Sequence, residues 1–150
     1  MKLLILSLTV VVTLVMAACQ SAPTGGMKNP LDALIGSWTL DSLNGKSFAQ
    51  LVPADAPANK PTMDIGQDGK VSGFAGVNRW MSSLDVASLA KGDFKLSPAG
   101  STMMAGPEYA MKLEREFLDA LQKARNFKLD GSKLTLTDGA NQIMQFVKGS

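Results

Sequence analysis

The chain has 150 residues, with 15 basic and 13 acidic side chains, one cysteine and no histidine. The near-neutral charge gives no basic surface of the kind that binds nucleic acid, and without histidine or a second cysteine the chain lacks an internal disulfide and the usual nucleophile and base pairs. The length suffices for one domain with a real core but not for two.

The N-terminal segment has the pattern of a secretory signal. Lys2 supplies a positive charge, residues 3–16 form an apolar run, and two small alanines precede Cys19. This order of features is typical of a cleaved signal. Because the run is shorter than the roughly 20 residues that span a bilayer as a helix, we predict a signal peptide over residues 1–18 and no permanent transmembrane helix.

The residues before Cys19 resemble the lipobox of bacterial lipoproteins, although Met16 stands where leucine is usual. In such proteins the cysteine thiol receives a diacylglycerol, the chain is cut before the cysteine, and the new amino group is acylated. Several acyl chains anchor a protein stably, since each buried methylene contributes about 0.8 kcal/mol. Gln20 stands where aspartate would direct retention at the inner membrane. We therefore expect lipidation at Cys19 and a periplasm-facing protein in the outer membrane; the alternative is a plain signal peptide with an incidental cysteine.

The next residues are small, polar and aperiodic, which predicts a flexible tether over residues 19–28 and a folded domain over residues 29–150. Asn29 followed by Pro30 is typical of a helix start. We expect the domain to open with a short capped helical turn.

Alternating polar and apolar residues predict strands from Ser37 onward, beginning with Trp38 and Leu40. An Asn-Gly or Asp-Gly pair between two such segments indicates a hairpin. The chain has four of these pairs: Asn44-Gly45, Asp68-Gly69, Asp130-Gly131 and Asp138-Gly139. Further strands are predicted over residues 62–65, 70–74, 127–129, 133–136 and 142–147, with a loop over residues 49–61. The pattern favours an antiparallel meander.

One long segment, residues 107–125, has helical periodicity. Its apolar residues recur three or four positions apart: Ala110, Leu113, Phe117, Leu121 and Ala124. The charged residues of the opposite face suit contact with solvent. We predict an α+β domain in which an antiparallel, curled and barrel-like sheet packs on one principal amphipathic helix.

Glu114 interrupts this pattern, because the helical period places it near the edge of the apolar stripe. An unpaired carboxylate at that position would be costly. Either the side chain reaches outward to water, or it has a partner, for which Arg79 is the first candidate. We expect Glu114 to be a structural carboxylate.

Two motifs resemble those of the META domain family: Gly-Phe-Ala-Gly-Val-Asn-Arg over residues 73–79 and Ser-Thr-Met-Met-Ala-Gly over residues 101–106. The opening Gly-Ser-Trp, the helix around Glu114 and the closing pair of strands also agree, so the resemblance covers about residues 34–147. It implies a compact mixed α/β fold, frequent attachment to the bacterial envelope and an association with heat shock or envelope stress. It implies no established catalytic activity.

The chain departs from this family at two positions. Many relatives carry cysteine at the places held here by Val77 and Gly106. Their joint absence is what we expect if the two cysteines pair in relatives and this branch has lost both. The loss also removes any thiol or metal chemistry that they supplied.

The glycine-rich motif at residues 73–79 has two interpretations. It is either a shaped turn that positions the helix or a binding loop that presents Asn78, Arg79 and Trp80. Asn78 tolerates a left-handed conformation, and Trp80, like Trp38, also suits core or edge packing. These three residues are the candidate binding residues.

No residues in the sequence form a recognisable catalytic or metal-binding set. Ser88 and Lys91 have the spacing of certain acyl-transfer enzymes, but the other motifs of those enzymes are missing. Methionine thioethers are ligands for Cu(I), yet the methionines are dispersed along the chain and suit core packing. We therefore predict no catalytic residues, no metal and no cofactor.

The sequence thus favours a non-enzymatic, lipid-anchored envelope protein that binds a protein or envelope component, with a role in stress. The alternative is a small-molecule or metal-binding module of the periplasm. An unrecognised hydrolase is the weakest of the three hypotheses.

Overall fold

A computed structural model describes residues 29–149. The predicted signal peptide over residues 1–18, the predicted lipidation site Cys19 and the predicted tether over residues 19–28 lie outside the described residues. Within residues 29–149, no helix is both long and apolar enough to cross a bilayer.

The described chain contains four helices and nine strands. The helices are α1 (Pro30–Leu34), α2 (Phe48–Leu51), α3 (Val86–Leu89) and α4 (Glu108–Lys123). The strands are β1 (Gly36–Leu43), β2 (Lys46–Ser47), β3 (Thr62–Ile65), β4 (Lys70–Phe74), β5 (Arg79–Ser83), β6 (Gly100–Ser101), β7 (Asn126–Asp130), β8 (Lys133–Thr137) and β9 (Gln142–Lys148). The prediction of a loop from residue 49 is wrong for the three residues that belong to α2.

All nine strands belong to one antiparallel sheet in the order β6-β5-β4-β3-β1-β9-β8-β7, with β2 beside β1. The four Asn-Gly and Asp-Gly pairs each lie where one strand turns into the next, as predicted. At the first of them, Asn44 and Gly45 have φ values of 49° and 77°. Positive φ at both central residues is the geometry of a tight hairpin turn.

The central strand β1 joins the beginning of the domain to its end. It lies between β3 and the last strand, β9, with Leu40 opposite Phe146 and a register shift between Leu40 and Ser42. The first and last strands of the domain are thus direct neighbours in the sheet. Trp38, Leu40 and Leu43 of β1 are fully buried.

Helix α4 packs its apolar stripe against the sheet, and all five stripe residues predicted from the sequence are buried. The ring of Phe117 makes edge contacts with Trp80 of β5, at 5.9 Å between centroids, and with Phe146 of β9, at 6.2 Å. Such contacts add to the free energy gained from burying the rings. One helix therefore ties distant strands of the sheet together.

The helix is shorter than the predicted segment over residues 107–125. Pro107 is the N-cap rather than the first helical residue, and Ala124 is the C-cap. After the cap, Arg125 donates its backbone N–H to the carbonyl of Thr137 in β8. The main chain leaves the helix at this point, because the N–H of Arg125 bonds to strand β8 instead of to a helix carbonyl.

The α+β class, the antiparallel sheet and the single main helix agree with the prediction. The sheet is not closed into a barrel, because its strand order has two ends, β6 and β7. The curled, barrel-like shape is therefore not confirmed.

Candidate functional site

A buried polar cluster connects the glycine-rich motif to helix α4. Glu114 is 6% exposed, and its Oε2 accepts the backbone N–H groups of Val77 (3.2 Å) and Asn78 (2.7 Å). Its Oε1 accepts from Nδ2 of Asn78 at 2.9 Å. The side chain thus neither reaches outward nor pairs with Arg79, so that expected partner is wrong. The carboxylate therefore accepts hydrogen bonds from three N–H donors. It forms no ion pair with a lysine or arginine of the described residues.

Asn78 extends the cluster to the loop that follows β6. Its Oδ1 accepts from Oγ1 of Thr102 (2.8 Å) and from the backbone N–H of Met104 (2.7 Å). Its Nδ2 donates to the carbonyl of Met104 at 3.1 Å as well as to Glu114. Every polar position of the amide is used. The Asn78–Glu114 pair therefore holds two loops and the helix together.

The turn before Asn78 depends on Gly76 rather than on Asn78. Gly76 has a φ of 133°, and a Cβ there would lie 3.1 Å from the carbonyl oxygen of Ala110 in α4. Only glycine adopts this backbone conformation at little cost. The left-handed tolerance expected of Asn78 is not used, because among the described residues Asn44 is the only non-glycine with positive φ.

The three candidate binding residues separate across strand β5. Asn78 is buried, and Trp80, at 1% exposure, donates its Nε1–H to the carbonyl of Thr62 at 3.1 Å. Arg79 is exposed. Because successive strand side chains point to opposite faces, Arg79 lies outside with Met81 while Trp80 enters the core. The binding-loop interpretation is therefore wrong for Asn78 and Trp80, the core-packing alternative is confirmed for Trp80, and of the three candidates Arg79 alone remains on the surface.

The second motif contributes more than the sequence indicated. Thr102 accepts the N–H of Arg79 with its hydroxyl and donates its own N–H to the carbonyl of Arg79. Met104 uses both main-chain polar groups on Asn78. The contacts of Thr102 and Met104 were not predicted, although the motif over residues 101–106 had marked this segment.

The sequence profile of the META domain matches residues 32–150. The chain belongs to the META domain family. Three solved structures are similar in fold. One is the NMR structure of a protein that is 24% identical, with a TM-score of 0.58 over 81% of this chain and 96% of that one.

The second is the NMR structure of a Burkholderia xenovorans protein, 24% identical, with a TM-score of 0.54 over 81% of this chain and 89% of that one. The third is the crystal structure of a DUF4847 family protein from Bacteroides vulgatus, 17% identical, with a TM-score of 0.51 over 77% and 94% of the two chains. At these identities the similarity concerns the fold alone. A search of curated proteins gave no match.

In this META domain Val77 and Gly106, the two positions at which the resemblance implies cysteine in many relatives, are in contact. A Cβ on Gly106 would lie 2.6 Å from Cγ2 of Val77 and 3.4 Å from its Cβ. The branched side chain of Val77 therefore occupies the space that a side chain at position 106 would need. Glycine at position 106 therefore leaves the space that the valine side chain at position 77 fills.

The serine of the Ser-x-x-Lys spacing serves a helix cap. The Ser88 hydroxyl donates to Oδ2 of Asp85 at 2.6 Å, and Oδ1 of Asp85 accepts the N–H groups of Ala87 and Ser88 at the start of α3. The hydrogen bond from the Ser88 hydroxyl is the largest cause of a lowered pKa for Asp85, and the N–H groups of Ser88 and Ala87 lower this pKa further. Lys91 is exposed and does not hydrogen-bond to this hydroxyl.

Two depressions mark the surface around the family motifs. One, of about 470 Å³, runs over the outer face of β4 and β5 and is lined by Lys70, Val71, Ser72, Met81, Ser82, Ser83, Ser97, Pro98 and Gly100. The other, of about 360 Å³, lies above the Asn78–Glu114 pair and is lined by those two residues with Ser101, Thr102, Met103, Met104, Ala105 and Met111.

The large apolar side chains that are exposed within residues 29–149 are all methionines. Met81 is 64% exposed, Met103 98% and Met104 58%. Met81 belongs to β5, and Met103 and Met104 lie in the loop after β6. No group of three or more His, Cys, Asp or Glu residues within the described part of the chain is arranged to hold a metal.

Proposed function

We propose that this protein is a non-enzymatic lipoprotein, anchored through Cys19 in the outer membrane and facing the periplasm, whose META domain binds an envelope protein under stress. The anchor is supported by the lipobox-like residues before Cys19. The stress role is supported by the resemblance to envelope members of the META domain family.

The observation that carries the binding proposal is the outer face of β4 and β5. Arg79 and Met81 are two positions apart on β5 and are both exposed on the same face. Arg79 forms no ion pair within the described residues. Met81 borders the depression of about 470 Å³. We call Arg79, Met81 and this depression the outer binding face.

The chemistry of the outer binding face favours a protein partner. Arginine and methionine are enriched in protein interfaces, and an exposed methionine adapts its shape to an apolar partner. The guanidinium group provides a bidentate site for a carboxylate. The expected partner segment therefore combines an apolar side chain with an aspartate or glutamate.

We also propose that the sheet curls around α4, which makes this face convex. Two isolated bridges support the curl: Leu84 pairs with Leu96, and Asp93 pairs with Asn126 of β7. Residues 93–96 thus pair both with Leu84, which follows β5, and with β7, the strand at the opposite end of the sheet. The simultaneous contacts of Phe117 with β5 and β9 agree with this shape.

In-cell photo-crosslinking tests the binding proposal. A photoreactive residue at position 81 of the full-length protein is expected to give a discrete adduct with one envelope protein, and Arg79→Glu is expected to abolish it. The same photoreactive residue at exposed position Lys128 of β7 is the matched control. An adduct that is unchanged by Arg79→Glu, or identical to the Lys128 control, would overturn the outer binding face.

A further inference from the structure

We propose that Met103, Met104 and Met111 form a binding site for a soft monovalent metal cation, Cu(I) or Ag(I), above the buried carboxylate of Glu114. This site is distinct from the outer binding face and does not depend on the proposed protein partner. Met103 and Met104 are adjacent in the sequence, and the fold places Met111 of α4 at the same depression.

The first argument is their common location. Met103 and Met104 lie in the loop after β6, and Met111 lies near the start of α4. All three line the same depression of about 360 Å³, together with Glu114. Met111 and Glu114 are three residues apart on the helix, so they share one of its faces. Three methionines and one glutamate therefore line one depression.

The second argument is that the loop backbone is held while its side chains are open to solvent. Asn78 binds both the N–H and the carbonyl of Met104, at 2.7 and 3.1 Å. Met103 is 98% and Met104 58% exposed. Core packing therefore does not account for these two side chains. A fixed backbone with flexible thioethers suits a ligand set that closes around an ion.

The third argument is the choice of residue. Each large apolar side chain exposed in the described part of the chain is a methionine and not leucine, isoleucine or phenylalanine. A general apolar surface would not need sulfur. Thioethers are soft ligands that select Cu(I), whereas Ca²⁺ and Mg²⁺ require several oxygen ligands. The residue type therefore indicates a soft cation.

The fourth argument is charge. The carboxylate of Glu114 is buried and is hydrogen-bonded only to neutral amide donors. No lysine or arginine within residues 29–149 forms an ion pair with it. A cation above this group would gain Coulomb energy in a partly desolvated site. Glu114 is thus expected to strengthen binding by its charge, with the sulfur atoms as ligands.

Silver titration of the full-length lipidated protein in detergent micelles tests the site, because Ag(I) is a soft cation that stays monovalent in air. The protein carries ¹³C-methyl methionine, and Met→Leu variants assign the signals. We expect one equivalent of Ag(I) to shift the methyl signals of Met103, Met104 and Met111 and to leave those of buried Met63 and exposed Met81 in place.

The matched variants are Met104→Leu/Met111→Leu and Met81→Leu. We expect the first to raise the Kd for Ag(I) at least tenfold and the second to leave it unchanged; anaerobic competition with a Cu(I) chelator should give the same order. Silver bound without these methyl shifts, or with equal affinity in the double variant, would overturn the site. Arg79→Glu removes the proposed protein contact but should retain silver binding, which separates the two proposals.

Discussion

The side chain of Asn78 shows how one residue can decide the local structure of three segments. It makes two contacts to Met104, one to Thr102 and one to Glu114, all inside the domain. A shorter side chain at this position would remove one donor from the buried carboxylate of Glu114 and would leave part-buried groups of Thr102 and Met104 without these hydrogen bonds. Such groups are costly to bury, and a carboxylate is more costly than a neutral group.

Asn78→Ala is therefore expected to destabilise the domain by about 3 kcal/mol, since a carboxylate and two main-chain groups lose a buried partner. Urea unfolding followed by circular dichroism measures the change. Exposed Asn59→Ala is the matched control and should change stability by less than about 0.5 kcal/mol. If Asn78→Ala loses as little stability as the control, water replaces the hydrogen bonds of the amide.

The contact between positions 77 and 106 leads to a second prediction. A Cβ on Gly106 would lie 3.4 Å from that of Val77, close to the range of about 3.5–4.5 Å found across disulfides. The double variant Val77→Cys/Gly106→Cys is expected to oxidise to a disulfide and to gain about 3 kcal/mol from the restricted unfolded chain.

Mass spectrometry after thiol alkylation would detect this disulfide, and urea unfolding with and without reductant would measure its effect. Val77→Cys alone is the control for loss of the valine. Two alkylated thiols at positions 77 and 106 after oxidation would show that the backbone separation is unsuitable.

At the scale of elements, the predictable parts are those with enough residues to repeat a pattern. Helix α4 has 16 residues, so its apolar stripe recurs several times and its buried face follows from the sequence. The hairpin strands were recognised from their Asn-Gly and Asp-Gly turns. In contrast, β6 has two residues and α3 has four, which is too short for either periodicity to appear.

The cap of α3 gives a prediction about pH. The Ser88 hydroxyl and backbone N–H groups lower the pKa of Asp85 from its ordinary value of 3.8. A carboxyl whose folded pKa is below its unfolded pKa stabilises the fold above the unfolded value, and this contribution is lost as pH falls through the folded value. Asp85→Ala should therefore be less stable than wild type at pH 7, and the difference should shrink as pH falls below the ordinary pKa of 3.8.

Urea unfolding at a series of pH values measures this difference. Exposed Asp55→Ala is the matched control for the loss of a surface carboxyl group. Asp138, whose pKa is lowered by the N–H groups of Asn141 and Ala140, should contribute a loss of stability in the same acidic direction. A difference between Asp85→Ala and wild type that does not vary with pH would show that the cap acts without its charge.

At the scale of the whole molecule, the proposed lipid anchor at Cys19 would place the proposed outer binding face and the proposed methionine site at the outer membrane. Cys19→Ser removes the only thiol that a lipobox could use. We expect this variant to lose labelling by a fatty-acid analogue and to leave the outer-membrane fraction. A Cys19→Ser protein that remains in the outer-membrane fraction would contradict lipid anchoring. Met27→Leu is the conservative control.

The sequence by itself determined the features that depend on neighbouring residues or regular spacing. These include the family, the antiparallel strands between Asn/Asp-Gly turns and the buried stripe of α4. They could be predicted because turn chemistry and side-chain periodicity act over a few residues. The α+β class followed from the number of strands and the single long helix.

Only the tertiary structure decided which distant residues meet. Glu114 was expected either to reach outward to water or to pair with Arg79, but its hydrogen bonds to Asn78 depend on how α4 lies against the glycine-rich turn. The burial of Trp80 likewise depends on the order of strands in the sheet, and the shared depression of Met104 and Met111 depends on how the loop after β6 leads into α4. These contacts join residues far apart in the chain, and no local pattern specifies them, because they arise only when the core excludes water and each buried polar group must find a donor or acceptor.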